Sequence, residues 1–159
     1  MDKITDKVYL GDYHGADNEE ELIKNNIKRV YSYCGSLSLT YEDKSIKQKR
    51  IQLKDTNETN IIKYFNDAIQ FIDESDKVFV HCFSGKSRSV TLVIAYFMWK
   101  EKKPFKEVFE FLKKHKLVCP NTGFQKQLLI FEQKLKDADY DLNKIDLNSV
   151  VWPPKEGIS

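Results

Sequence analysis

The chain has 159 residues, 41% of them hydrophobic and 31% charged, and Lys+Arg 26 against Asp+Glu 24 leaves a formal charge of +2. That length and balance suit one folded domain and exclude a disordered or collagen-like chain, and the near-neutral charge demands no nucleic-acid partner. The three cysteines, Cys34, Cys82 and Cys119, are odd in number and far apart, which excludes a pure disulfide framework and points to a reducing compartment.

The first residues, MDKITDKVYL, contain no apolar run of signal-peptide type, and position 2 is Asp, not the Gly that myristoylation needs. The apolar stretch Val90 to Trp99 is too short to span a bilayer. The expectation is a soluble protein with no membrane anchor, cytoplasmic and extending to the nucleus.

In chain order, Ile4, Val8 and Leu10 sit at even spacing and predict a strand or hairpin that stops at Gly11. Residues 17–26 predict a short polar helix with Leu22 and Ile23 inward. A strand over 28–34 ends before Gly35, and 35–47 predicts a loop. Residues 48–53 alternate, with Ile51 and Leu53 on one face. Between Glu58 and Glu74, Ile61, Ile62, Phe65, Ala68, Ile69 and Ile72 follow helical spacing. Val78, Phe79 and Val80 form the continuous apolar run of a central strand buried on both faces.

Three helices follow. The one over 88–102 is apolar nearly all round and predicts a core helix. Pro104 starts the next at its first helical position. There Phe105, Val108, Phe109 and Leu112 form one stripe. In the last helix Phe124, Leu128, Phe131 and Leu135 repeat that logic. Tyr31, Tyr33 and Tyr41 carry no signal that separates core from surface. Strands alternating with helices indicate an α/β fold.

Chemistry concentrates at one junction, Val78-Phe79-Val80-His81-Cys82-Phe83-Ser84-Gly85-Lys86-Ser87-Arg88-Ser89. A buried strand ends at His81, a short loop follows, and a helix opens near Arg88. Such a turn aims loop amides and the positive end of a helix dipole at one point, which makes an anion site. A free thiol is mostly protonated at neutral pH, and a helix N-terminus with a nearby cation stabilises its nucleophilic thiolate form. Cys82 stands where both are supplied. Arg88 offers a planar fork matched to two oxygens of a phosphate. Gly85 lets the loop turn its amides inward. Ser89 can donate to the Cys82 sulfur and help it leave a covalent intermediate.

Taken alone, a Cys beside a His after a strand is usually a core residue. Cys, Gly and Arg at these spacings between a buried strand and an apolar helix make the nucleophile the better reading. A cysteine protease does not fit, because neighbours at a strand end point to opposite faces. His81 is better read as orienting the loop. The remaining cysteines and histidines lack ligand spacing, so neither metal nor other cofactor is expected.

His81-Cys82-Phe83-Ser84-Gly85-Lys86-Ser87-Arg88-Ser89 resembles H-C-x-x-G-x-x-R-S/T, the signature of cysteine-dependent protein phosphatases. The flanks are similar to the small dual-specificity branch: Tyr9-Leu10-Gly11 with Ala16 and Leu22, Ala95-Tyr96-Phe97-Met98, and Pro120-Asn121-Thr122-Gly123-Phe124 running on to Gln127-Leu128. Together they cover about residues 4–135. Ser84 stands where the family often has Ala, and Lys86 adds a charge.

The resemblance implies a protein tyrosine phosphatase-like fold, with a central mixed, mostly parallel sheet of four to five strands flanked by helices. It divides the chain into a catalytic domain over 1–138 and a C-terminal tail over 139–159. It implies a cysteinyl-phosphate intermediate, with substrate oxygens held by the loop of Phe83, Ser84, Gly85, Lys86, Ser87 and Arg88.

A leaving alkoxide also needs a general acid. The resemblance places it on Asp55, 27 residues before Cys82 and just past a strand end. The plain alternative is that Asp55 caps the turn before the next helix. Glu58 is the rival, and Asp67 and Asp73 fall on a helical face. The resemblance favours two jobs for Asn121, a hydrogen bond to the loop and a helix cap. Gln127 is either a family position or a packing residue.

Cys34 ends a strand expected in the same sheet, and strand C-terminal ends gather near the active crevice. Residues 28–34 also resemble the tensin-type strand that carries a second cysteine. Cys34 is therefore a candidate redox partner for Cys82, with a buried inert thiol as the alternative. Cys119 is read as structural.

The leading function is hydrolysis of phosphotyrosine and phosphoserine/phosphothreonine in protein substrates, kinases among them. A phosphatase for phosphoinositides or other non-protein substrates is the second reading, with Lys86 suited to a second phosphate. A phospho-binding module without turnover is the third.

Overall fold

Apolar and aromatic runs form the three inner strands of one five-stranded sheet, and charged segments its two edges, in a computed structural model that describes residues 1–34 and 39–155. The strands are β1 (Asp2–Lys3), β2 (Val8–Gly11), β3 (Arg29–Tyr33), β4 (Lys47–Ile51) and β5 (Val78–His81), in the order β1-β2-β5-β3-β4. β1 is antiparallel to β2, and the other neighbours run parallel. β5 lies in the middle and is buried along its whole length, as its apolar run requires.

Strand alternation divides the core into two layers. Val78 and Val80 join Leu10, Tyr31 and Tyr33 in the larger cluster, while Phe79 joins Tyr9 and Val30 in the smaller. The larger layer is covered by α3 (Phe65–Glu74), α4 (Arg88–Glu101), α5 (Phe105–Lys113) and α6 (Thr122–Asp137). All three tyrosines that the sequence left open are buried. In α4 every residue from Ser89 to Met98 is buried, as expected of a core helix.

Several boundaries differ from expectation. The polar helix expected over 17–26 is the shorter α2 (Glu19–Lys24), preceded by a separate, unexpected helix, α1 (Tyr13–Asp17). Asn18 separates them, its side chain accepting from the Glu21 amide at 3.2 Å and so restarting the helix. Leu22 is buried, but Ile23 is 42% exposed, because adjacent helical residues cannot both face the sheet. The 58–74 helix begins only at Phe65, after a 3-10 turn at Ile62–Tyr64. All six of its predicted apolar residues are nonetheless fully buried. Pro104 is the cap before α5, with extended backbone, not its first helical residue. The predicted 35–47 loop lies partly outside the described residues, and β4 begins at Lys47.

The segment after α6 packs onto the rest of the chain. Ile145 and Leu147 are buried with the larger cluster. The Trp99 indole donates to the Tyr140 carbonyl at 3.0 Å, and Asn66 donates to the Ile145 carbonyl at 3.2 Å. Among the described residues no helix is long and apolar enough to cross a membrane.

Candidate active site

The loop between β5 and α4 closes on its own cysteine. Cys82 is fully buried, and its Sγ accepts from the Gly85 amide at 3.2 Å. Ser89 Oγ, on the second residue of the core helix, lies 3.1 Å from the same sulfur. The turn depends on Gly85, whose φ is +75°, a region that side chains rarely adopt. A Cβ there would also sit 2.7 Å from the Gly11 backbone carbon, so the loop is pressed against the end of β2.

Arg88 opens α4 and reaches back across the site. Its Nη1 donates to the Leu53 carbonyl at 2.7 Å, which anchors the guanidinium just past β4. Its Nε is buried without a partner. An unpaired buried donor costs about 1–3 kcal/mol, so this edge of the fork is suited to an oxyanion.

His81 is braced from the sheet. Its Nδ1 lies 3.1 Å from the Cys82 carbonyl, an acceptor only, so Nδ1 carries the proton. Nε2 therefore accepts from Ser32 Oγ at 2.6 Å, and Gln48 donates to that hydroxyl at 3.0 Å. Burial pulls the His81 pKa down to about 4, so the ring is neutral and this chain of bonds keeps its direction.

Asp55 is exposed on the loop after β4, and its Oδ1 accepts from Ser87 Oγ at 2.7 Å and from Asn121 Nδ2 at 2.8 Å. Asn121 also caps α6, its Oδ1 accepting from the Phe124 amide at 2.8 Å, and its own amide donates to Ser87 Oγ at 3.1 Å. One residue thus joins the helix, the cysteine loop and the carboxylate. The rival acids lie elsewhere. Glu58 is exposed outside this network. Asp67 accepts from Tyr31 and pairs with Lys49, and Asp73 pairs with Lys100.

The cysteine loop holds a buried thiol and an anchored arginine, with Asp55 bonded to it through Ser87, and the model of the dual specificity phosphatase catalytic domain family matches residues 8–134, which contain all three. The chain belongs to that family. Dual specificity protein phosphatase 1 of Arabidopsis thaliana is 34% identical over 86% of this chain and 71% of its own length. MAP kinase phosphatase with leucine-rich repeats protein 1 of Dictyostelium discoideum is 38% identical over 84% of this chain, which spans only 16% of that protein. The crystal structure of DUSP15 superposes with a TM-score of 0.80 at 31% identity, covering 92% of this chain and 93% of that one. The protein is therefore a cysteine-dependent phosphatase of dual specificity, acting on phosphotyrosine and phosphoserine/phosphothreonine through a cysteinyl-phosphate intermediate, on the protein tyrosine phosphatase-like fold expected from the sequence.

The rim of this phosphatase site is aromatic and polar. Phe83 is 62% exposed and stacks on Tyr13, with ring centroids 6.2 Å apart. Ser84 and Lys86 are exposed beside it, whereas Ser87 is buried. Cys34 and Cys82 are both buried free thiols. Burial raises the Cys34 pKa, against the opposing positive charge of Arg88. Cys119 is not the interior residue its structural reading implied. It is exposed, and its amide donates to the Lys86 carbonyl at 2.8 Å, so its place is set by its backbone.

Sequence reasoning missed three supports of the site. Ser32 and Gln48 hold His81, and Asn57 ties the Asp55 loop to α6, its Oδ1 accepting from the Gly123 amide at 3.0 Å. Ser32 had a signal, a polar residue inside an otherwise apolar strand. Asn57 had none, because its partner is 66 positions away in sequence.

Proposed function

We propose that Cys82, Arg88, Asp55 and Ser89 divide the phosphatase reaction among them, on phosphoprotein substrates that include kinases. The observation that carries the reading is the loop itself: a buried thiol accepting from Gly85, within reach of Ser89, on the turn that leads to an arginine with a buried unpaired Nε. Cys82 Sγ attacks phosphorus while Arg88 Nε and the loop amides of Phe83 to Arg88 hold the equatorial oxygens. The P–O bond to the leaving group breaks. Asp55 Oδ1 is already an acceptor for Ser87 and Asn121, so the transferred proton is assigned to Oδ2. Water then attacks the thiophosphate, Asp55 takes its proton, and the S–P bond breaks as Ser89 donates to the departing thiolate. His81 positions the loop through its bond to the Cys82 carbonyl.

Kinase substrates are suggested by the similarity to the MAP kinase phosphatase of Dictyostelium discoideum. Lys86, exposed at the rim, suits a second phosphate on the same peptide. The free thiols favour a reducing compartment, the cytoplasm and nucleus. Under peroxide, a Cys82 sulfenic acid would condense with the Cys34 thiol to a disulfide and water; non-reducing peptide mapping tests this, and absence of the linked peptide refutes it.

The main test is turnover of an aryl phosphate in EDTA. Cys82→Ser should lose on the order of 10⁴-fold or more in kcat. Asp55→Asn should lose about 10²–10⁴-fold, most on poor leaving groups. Turnover that survives Cys82→Ser would break the mechanism. A panel of phosphopeptides against inositol lipids separates protein from lipid substrates.

A further inference from the structure

We infer that Trp152 is a positioning residue for the loop that carries Asp55, an inference that rests on the reading of Asp55 as general acid. From Lys54 to Glu58 every residue is exposed, and the stretch contains neither helix nor strand. Such a segment opens at low free energy unless it is tied. Most ties come from one side. Ser87 and Asn121 hold Asp55, while Asn57 Oδ1 accepts from the Gly123 amide at 3.0 Å and from Thr122 Oγ1 at 3.1 Å. Contact there is close: a Cβ on Gly123 would lie 2.2 Å from the Asn57 carbonyl oxygen.

The remaining tie comes from the C-terminal segment. Trp152 Nε1 donates to the Asn57 carbonyl at 2.8 Å, across 95 positions. Among the described residues it is the only hydrogen bond from 139–155 to this loop. The segment that delivers it is itself fixed at three points: Tyr140 to Trp99 on α4, Ile145 to Asn66 on α3, and Leu147 in the core. It forms a strap from the back of the domain to a peptide group two residues beyond Asp55. Asn57 is thus gripped by its side chain from α6 and by its carbonyl from the strap. Releasing the carbonyl leaves Asp55 tethered but less well aimed, and proton transfer is the step that suffers.

Trp152→Phe removes the indole N–H and keeps a ring. The assay is kcat and KM over a series of phosphate esters whose leaving groups run from an acidic phenol to the serine of a phosphopeptide. For the variant, kcat/KM, which reads the acid step and not the water step that all substrates share, should fall roughly 3–10-fold on the poorest leaving group, with little change on the best one. Amide hydrogen exchange over 54–60 should speed up. A residue with a merely structural role would scale all substrates equally through the active fraction. Equal loss of kcat/KM across the series, or unchanged exchange at 54–60, overturns the inference. Asp55→Asn is run in parallel. If it steepens the leaving-group dependence and Trp152→Phe does not, the strap fails alone. If Asp55→Asn leaves that dependence unchanged, the acid assignment falls and the strap's catalytic role with it.

Discussion

His81 is a titratable ring with no exposed surface, wired between a serine hydroxyl and the carbonyl of the nucleophile. Burial sets its folded pKa at about 4, below the ordinary 6.5 of an unfolded chain. The unfolded state therefore binds this proton first as pH falls. Stability from the neutral ring is complete above pH 6.5, is lost as pH drops, and the loss saturates below about 4. Between pH 7.5 and pH 5 this one group should cost about 2 kcal/mol. His81→Gln removes the titration. Urea unfolding at both pH values should show the variant losing less stability than the parent by about that amount. Equal losses in the two proteins would mean that the ring is not held neutral.

At the scale of elements, the late start of α3 has a specific cause. Gln127 on α6 is fully buried, and its Oε1 accepts from the Ile61 and Ile62 amides at 2.9 and 3.0 Å. Its Nε2 donates to the Thr59 carbonyl at 3.0 Å and to the Gly123 carbonyl at 3.2 Å. The amide thus satisfies the Ile62 N–H and reinforces a turn in which the Ile61 amide also donates to the Thr59 carbonyl at 3.1 Å. Helical spacing from Ile61 onward was readable in the sequence; the side-chain amide that replaces the first helical bonds was not. Gln127→Leu keeps the volume, removes four hydrogen bonds and strands the Ile62 amide. It should cost about 2–4 kcal/mol and lower Tm by roughly 5–15 °C. A melting curve within a degree of the parent would show that the four bonds carry no net stability.

Across the whole molecule, the segment after α6 packs on the same core cluster as the helices that position the site. Leu147 is 4% exposed within the larger core cluster, next to Ile145. Cutting Leu147 to Ala should cost about 2–3 kcal/mol, most of it cavity and lost transfer energy. The parent should then show one cooperative transition, moved down in the variant. An unmoved main transition would mean that residues 139–155 melt separately. Weak periodicity made this segment read as a tail, because its contacts are single residues spaced irregularly, not one face of a helix.

The family resemblance pointed to Asp55, while local spacing alone was enough to set the strand–loop–helix order, the core helix and the candidates Cys82 and Arg88. These depend on period, glycine placement and short sequence separation, which the chain displays directly. Only the tertiary structure decided which neighbour faces inward, as with Leu22 against Ile23, and that Cys119 is exposed. It alone joined Ser32 to His81, Asn57 to Gly123 and Trp152 to Asn57. Those pairs are brought together by packing of whole elements, so no residue in either member carries a mark of its partner.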